Sequence, residues 1–362
     1  MLLPRIAAAF TALPDVRSVA DLFSGTARVG HALKRAGLEV HASDQLRFAL
    51  TLAQCYVATD AAVWADRARR LIEELRRIPP SAGYFTETFC VQSRYFRPEN
   101  GERIDAIREE IARLEPTPEL EAVALVSLME AADRVDSTVG LQMAYLKDWA
   151  PRAFNPLDLR VPDILPGPGH AREGLAEVLA AEVDVDAAYL DPPYNQHSYL
   201  GNYHIWETLC RWDKPPHYGT ACKRKDVRSR KSRFNSKQHI HAALRQVVAR
   251  LNCPWLVVSF NNEGYLSTSD IVSILSEKGY VATVEVGFRR YVGAQIGIYN
   301  PSGEKVGAVS HLHNTEHLFV CGPDQDYVNC AAEAARAARP MPVPRPAGIA
   351  GSRDAAQVML PF

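Results

Sequence analysis

The sequence has 362 residues, of which 47% are hydrophobic and 23% charged, and its net charge is −1. Such a chain can bury a large core with one inserted or appended smaller unit, and the balance excludes a disordered or globally basic polypeptide. No apolar run approaches the roughly 18 to 20 residues of a membrane span, so a cytoplasmic protein without membrane contact is expected.

The chain opens with MLLPRIAAAF, too short and too weakly apolar for a signal peptide. SVADLF (18–23) reads as a buried strand, SGTARVG as a turn, and HALKRAG as a helix ended by Gly37. LEVHASD then makes a second strand that finishes at Asp44, which completes a βαβ opening. From 47 to 159 the pattern turns helical and reads as an insert. WADRARRLIEELRRI places Trp64, Ala68, Leu71, Ile72, Leu75 and Ile78 on one face, and ERIDAIREEIARL does the same with Ile104, Ile107, Ile111 and Leu114. Between them lies the aromatic, turn-rich GYFTETFCVQSRYFRPENG, and PELEAVALVSLMEAADRV follows. Strands resume at DAAYL (186–190), WLVVSF (255–260), VATVEVGF (281–288) and TEHLFV (315–320), the last two reading as an antiparallel pair that closes a sheet. Residues 223–237, KRKDVRSRKSRFNSK, hold eight Lys/Arg against one Asp, a density that suits contact with a polyanion. After Cys321 a terminal helix is expected, and 335–362 read as an Ala/Pro-rich, disordered tail.

Two motifs carry chemistry. In Asp21-Leu-Phe-Ser-Gly-Thr-Ala-Arg-Val-Gly30, at a strand-to-helix turn, Gly25 lets the backbone approach a ligand and the helix beyond offers unpaired N–H groups. Asp44, nineteen residues on at the end of the next strand, is placed to bind ribose hydroxyls, although Ser24 and Ala27 stand where G-x-G-x-x-G would have glycines. The second motif, Asp191-Pro192-Pro193-Tyr194, sits at the carboxyl end of another buried strand. A nucleobase amine is a poor nucleophile because its lone pair is delocalised into the ring. A carboxylate and a proline carbonyl can accept its two N–H bonds and draw the nitrogen towards tetrahedral geometry, proline adds no competing donor, and a tyrosine ring offers a face for stacking.

FSGTARVG and DPPY, in this order with a helical insert between, resemble the Dam-like, alpha-group adenine DNA methyltransferases. GYFTETFC, ENGERIDAIR, VSLMEAADRV, AYLKDWAPRAF, YNQHSYLGNYHIWETL, SFNNEG and FRRY are similar to the FokI-type modification methylases of that group, so the likeness spans most of 1–325. The resemblance implies a Rossmann-like α/β methyltransferase fold with a mixed seven-stranded sheet. The catalytic domain would comprise 1–46 and 160–325, and 47–159 would be a helical target-recognition region. It implies S-adenosylmethionine as donor, double-stranded DNA as partner, and methyl transfer to N6 of a flipped adenine. Carried over, Asp21, Phe23, Ser24, Gly25, Thr26 and Gly30 would line the donor's methionine end, and Asp44 its ribose, with Gln45 beside its adenine. Asp191, Pro192 and Pro193 would clamp the target amine beneath a stacking Tyr194, and Asp191 would also border the donor. Arg94, Asn202, Tyr203, His204 and the basic Lys223, Arg224, Lys225, Arg228, Arg230, Lys231, Arg233 and Lys237 would face DNA.

The family's usual Gly-Ser-Lys-type segment before a Leu-Leu-Pro helix has no counterpart here, and Ala27 replaces a glycine. The donor-adenine acid expected before DPPY is matched only by His170 or Glu173. His311, His313 and His317, like His239 and His241, lack a fourth ligand with fixed spacing and read as surface or sheet histidines, and no metal is expected. Seven cysteines without a C-x-x-C pair point to reduced thiols. The reading is an adenine-specific DNA methyltransferase, either paired with a cognate restriction endonuclease or solitary. Its rivals are cytosine N4 or RNA adenine as acceptor, and a catalytically weak DNA-binding homologue.

Overall fold

The computed structural model describes residues 2–289, 298–299, 305–307 and 313–339. His311, Arg290 and Tyr291 of FRRY, and the tail from 340 onward lie outside the described residues. In chain order the strands are β1 (Ser18–Asp21), β2 (Glu39–Asp44), β3 (Gly169–Glu173), β4 (Ala187–Leu190), β5 (His217–Tyr218), β6 (Lys223–Arg224), β7 (Trp255–Asn261), β8 (Tyr280–Arg289), β9 (Ile298–Tyr299), β10 (Lys305–Gly307) and β11 (His313–Gly322). Seven of them form one sheet in the order β3-β2-β1-β4-β7-β11-β8, while β5–β6 and β9–β10 are separate two-stranded ribbons. The first five sheet strands run parallel, and β11 enters antiparallel between β7 and β8. The mixed seven-stranded α/β sheet and its closing antiparallel pair are as expected from the sequence.

Strand alternation sends neighbouring side chains to opposite faces. Val19, Val40 and Val257 join one apolar layer, and Ala20, Leu256 and Val258 the other. The second layer is covered by helices Ala176–Leu179, Ile240–Arg250 and Thr268–Ser276. The first receives helices Leu3–Ala12 and Gln325–Ala337 and those between β2 and β3, so residues 47–133 share a core with the sheet. Within that group, nearly every side chain from Ala122 to Ala132 is buried, as befits a helix apolar all round. Asp105 of helix Pro98–Leu114 accepts from the backbone N–H groups of Gly83, Phe85 and Thr86 at 2.7–2.9 Å, which seats the aromatic GYFTETFC turn.

β3 was not expected. Its sequence, GHARE, is polar and its side chains are largely exposed, because it forms the sheet edge. Gly169 is needed there, since a Cβ would lie 2.4 Å from the Val57 carbonyl oxygen. β3 also brings His170 opposite His41, and with Glu39 they form a cluster whose ligand atoms lie within 4.8 Å of one another, which the sequence could not reveal without that strand.

Candidate active site

β1, β2 and β4 all end on one side of the sheet, and the residues at or just past their ends border a cleft of about 960 Å³. Asp21, Phe23, Ser24, Gly25, Thr26, Asp44, Gln45 and all four residues of DPPY line it. Gly30 does not. It lies beneath the cleft, where a Cβ would meet Val57 at 2.8 Å and Asp21 Oδ2 at 3.5 Å.

The glycine turn is built by hydrogen bonds. Ser24 N–H donates to the Ser43 carbonyl at 3.0 Å, Ala27 N–H to Ser24 at 2.7 Å, and Gly25 N–H to Asp44 Oδ2 at 3.0 Å. Asp44 thus supports the turn as well as facing the cleft, and its second oxygen accepts from Leu46 N–H at 2.9 Å. Gly25 has φ +49°, which glycine adopts freely, whereas Ala27 holds φ +58° with a fully buried methyl group.

Acidic side chains predominate in the cleft, which Arg28 also lines. Asp21 is 1% exposed and neither carboxylate oxygen has a hydrogen-bond partner of good geometry; the buried Ser24 hydroxyl also lacks one. Burial, then the charges of Asp191 and Asp44, raise Asp21 to about 8, only partly offset by the Gly30 and Phe23 amides. Asp191 is reachable by water through the cleft mouth yet surrounded by protein, and this desolvation lifts it to about 6, with Ser259 holding it back. Desolvation likewise raises Asp44 to about 6. Glu316 of β11, which the sequence reading missed, also lines the cleft; it accepts from Asn261 Nδ2 at 2.8 Å, and burial followed by the Asp191 charge raises it to about 7. The SFNNEG turn that carries Asn261 was the available signal. An unpartnered buried acid is costly, so this chamber is suited to a ligand with cationic groups. Asp21 and Ser24 present the unused acceptors for it.

Tyr194 is half-buried, its ring packed edge-on against Phe260 at 6.0 Å, with one side open to the cleft. Pro192 is buried and Pro193 half-buried beside it. Beyond DPPY, Asn202 borders the cleft, but Tyr203 is 4% exposed and His204 fully buried, so neither is placed to meet DNA. Their segment holds Gln142. The Asn202 carbonyl accepts from Gln142 N–H at 2.8 Å, His204 Nε2 donates to the Gln142 carbonyl at 3.0 Å, and Ile205 N–H donates to Gln142 Oε1 at 2.8 Å. Burial depresses His204 to about 3, so it serves as a neutral donor.

The basic segment divides. Arg224 is 2% exposed and pairs with Asp213 at 2.7 Å and Asp226 at 2.9 Å, and Arg230 pairs with the buried Glu207 at 2.9 Å. Those two guanidiniums belong to the fold, which corrects their reading as DNA contacts. Lys225, Arg228, Lys231, Arg233 and Lys237 are exposed and Lys223 half-exposed. Phe234 anchors the segment in the core, edge-on to Phe23 at 4.9 Å. Asn235 Nδ2 donates to the carbonyls of Asn195 at 2.8 Å and His197 at 3.1 Å, tying the segment to the DPPY loop. Arg94 donates to the Lys147 carbonyl at 2.8 Å and lies over the Trp149 ring. Neither His170 nor Glu173 reaches the cleft; Gly174, Leu175, Ala176 and Glu177 do. The structure describes no side chain for His313, and His317 lies beside Phe319 and Glu285.

The raised carboxyl groups set a pH dependence. Each keeps its proton longer in the folded chain than in the unfolded one, so stability falls as pH rises between the two values, from 3.8 to about 8 for Asp21 and from 4.5 to about 7 for Glu316. Thermal unfolding of the ligand-free protein should therefore come at lower temperature at pH 8 than at pH 6. Asp21→Asn should remove on the order of 2 kcal/mol of that fall, and an unchanged pH slope in this variant would contradict the assignment.

Residues 1–274 match the family of D12 class N6 adenine-specific DNA methyltransferases. The type II methyltransferase M.NlaIII of Neisseria lactamica is 29% identical over 310 residues, covering 83% of this chain and 90% of that protein. The type II methyltransferase M.FokI of Planomicrobium okeanokoites is 31% identical over 300 residues, covering 76% of this chain and 46% of that protein. For the modification methylase StsI of Streptococcus sanguinis the identity is 27% over 290 residues, 75% of this chain and 44% of that protein. The chain thus spans about half the length of the last two. Cleft, motif order and sequence likeness agree: the chain belongs to the D12 class N6 adenine-specific DNA methyltransferases.

Proposed function

We propose that the cleft binds S-adenosylmethionine along the β1–β2 side and a flipped adenine of duplex DNA against DPPY, and that the exposed basic residues of 223–237 hold the DNA backbone. The observation that carries this reading is the unpartnered carboxylate of Asp21, which shares one cleft with Asp191, Pro192, Pro193 and Tyr194. Asp21 and Ser24 hold the donor's amino-acid end, Asp44 accepts from its ribose hydroxyls, and Gln45 flanks its adenine. When bound, S-adenosylmethionine supplies a methyl group on a positively charged sulfur, a leaving group already activated. Asp191 and the Pro192 carbonyl accept from the target N6 amine, which localises its lone pair. Tyr194 stacks on the base, and the protein's main contribution is in-line positioning. Residues 47–159 form the target-recognition side, with 1–46 and 160–325 as the catalytic domain.

Tritiated methyl transfer to unmethylated genomic DNA, with single-molecule sequencing to find the modified base, tests the reading. Wild-type protein should label adenine N6, and Asp191→Ala should lose about 10²- to 10³-fold in rate, the scale of removing one key electrostatic group. Label in methylcytosine would overturn the acceptor, and no label at saturating donor would overturn the enzyme assignment.

The basic segment makes a second prediction. Replacing Lys225, Arg228 or Lys231 with Ala should each lower the slope of log K against log salt by about 0.9. Arg224→Ala should instead lower the unfolding midpoint, because it leaves Asp213 unpaired and Asp226 with Arg230 alone. Slopes unchanged from wild type in the Lys225, Arg228 and Lys231 variants would remove 223–237 from the DNA interface.

A further inference from the structure

Gln142 is held at its backbone and its side-chain oxygen, while its buried Nε2 has no partner among the described residues. Besides its three bonds to the 202–205 segment, its carbonyl accepts from Tyr95 Oη at 2.9 Å. The loop around it is fastened at its base. Ser137 N–H donates to the Tyr95 carbonyl at 2.7 Å and Leu146 N–H to the Ser137 carbonyl at 2.8 Å. Ala150 N–H reaches Ser137 Oγ at 3.0 Å, and Arg152 reaches the Thr138 carbonyl at 2.8 Å. Gly140, at φ +95°, turns the chain at the tip.

This rigid frame displays apolar side chains to solvent. Val139 is 69% exposed and Met143 44% exposed, and Leu141 and Met143 border the same cleft as DPPY. A single exposed apolar residue is ordinary. Here, however, the exposed residues flank a buried, four-bonded anchor at the mouth of the chamber, and three of the anchor's partners lie eleven to fourteen residues beyond Asp191 in the same segment.

We propose that Met143, presented by the Gln142 clamp, is the wedge that enters the DNA stack and fills the space left by the extruded adenine. The inference rests on the methyltransferase reading above and assigns base extrusion to this loop. Removing a base from a duplex leaves an apolar gap between neighbouring base pairs, and proteins that unstack DNA fill such gaps with unbranched or bulky apolar side chains. Methionine suits this because its flexible, polarisable thioether adapts to the faces of stacked bases. The clamp matters because a wedge on a mobile loop would have to be ordered at the moment of binding. Met143 would thus act by positioning the base, without touching the reacting atoms.

The test uses the full chain and two duplexes carrying its target site, one matched and one with an abasic site opposite the target adenine. On the matched duplex, Met143→Ala should lower single-turnover methylation about 10- to 100-fold, the scale of a few kcal/mol of unstacking. On the abasic duplex, where the pair is already broken, the variant should methylate within about threefold of wild type. Met143→Leu should restore most of the matched-duplex rate. Equal losses on both duplexes, or no loss on either, would overturn the wedge. Wild-type protein inactive on both duplexes would overturn the methyltransferase reading itself, a result distinct from either.

Discussion

The structure turns on carboxyl groups brought to one cleft, of which Asp21, Asp44, Asp191 and Glu316 form no ion pair among the described residues. β1 and β4 are adjacent parallel strands, with Asp21 opposite Tyr189, so Asp21 and Asp191 come to one end of the sheet. Asp44 and Glu316 arrive from β2 and β11. Burial raises all four groups, and the charge of Asp191 adds to the rise at Asp21 and Glu316, with Asp44 adding at Asp21. A core built for stability alone would pair these groups. Leaving Asp21 without a well-aligned hydrogen-bond partner is intelligible if a bound cationic ligand supplies one, and that links the fold to the need of a methyltransferase for a donor.

The segment from Asp191 to Ile205 is the second organising element. Its first four residues line the cleft. Its middle carbonyls receive Asn235, which fastens the basic segment, and its last residues grip Gln142, which fastens the 137–150 loop. Both features proposed to face DNA are therefore referenced to the same short piece of chain as the proposed clamp for the amine. Rigid positioning is what in-line transfer requires, and here the backbone carries it. Two of the family-like residues Asn202, Tyr203 and His204 acquire a physical role on this view. Asn202 and His204 tie the segment to Gln142, His204 donating as a neutral imidazole from buried surroundings.

Much of this was legible in the sequence. Apolar runs announced β1, β2, β4, β7 and the β8–β11 pair, and the motif spacing predicted that Asp21, Asp44 and Asp191 would meet at one end of a sheet. Periodicity found the Ala61–Arg76 and Pro98–Leu114 helices, whose buried faces include Ile72, Leu75, Ile104 and Ile107. What failed to show was anything settled by tertiary pairing. β3 has no strand signature because an edge strand can be polar. Arg224 and Arg230 looked like their lysine neighbours because Asp213 and Glu207, which pair with them beside the one acid of the run, Asp226, lie outside it. Glu316 and Gln142 gave no local sign at all, since their importance comes from Asn261 on the neighbouring strand and from the distant 202–205 turn. Charge runs report composition, and only the fold decides which charges face solvent.

The central claim is that Asp21 waits, protonated, for a cation. Calorimetric titration of S-adenosylmethionine near pH 7, repeated in buffers of different ionisation enthalpy, measures protons exchanged on binding. Binding of the donor's ammonium group beside Asp21 should drive that carboxyl to ionise, so wild-type protein should release a proton to the buffer. Asp21→Asn should bind more weakly and release none. Binding without proton release, or undiminished affinity in the Asn variant, would contradict the account.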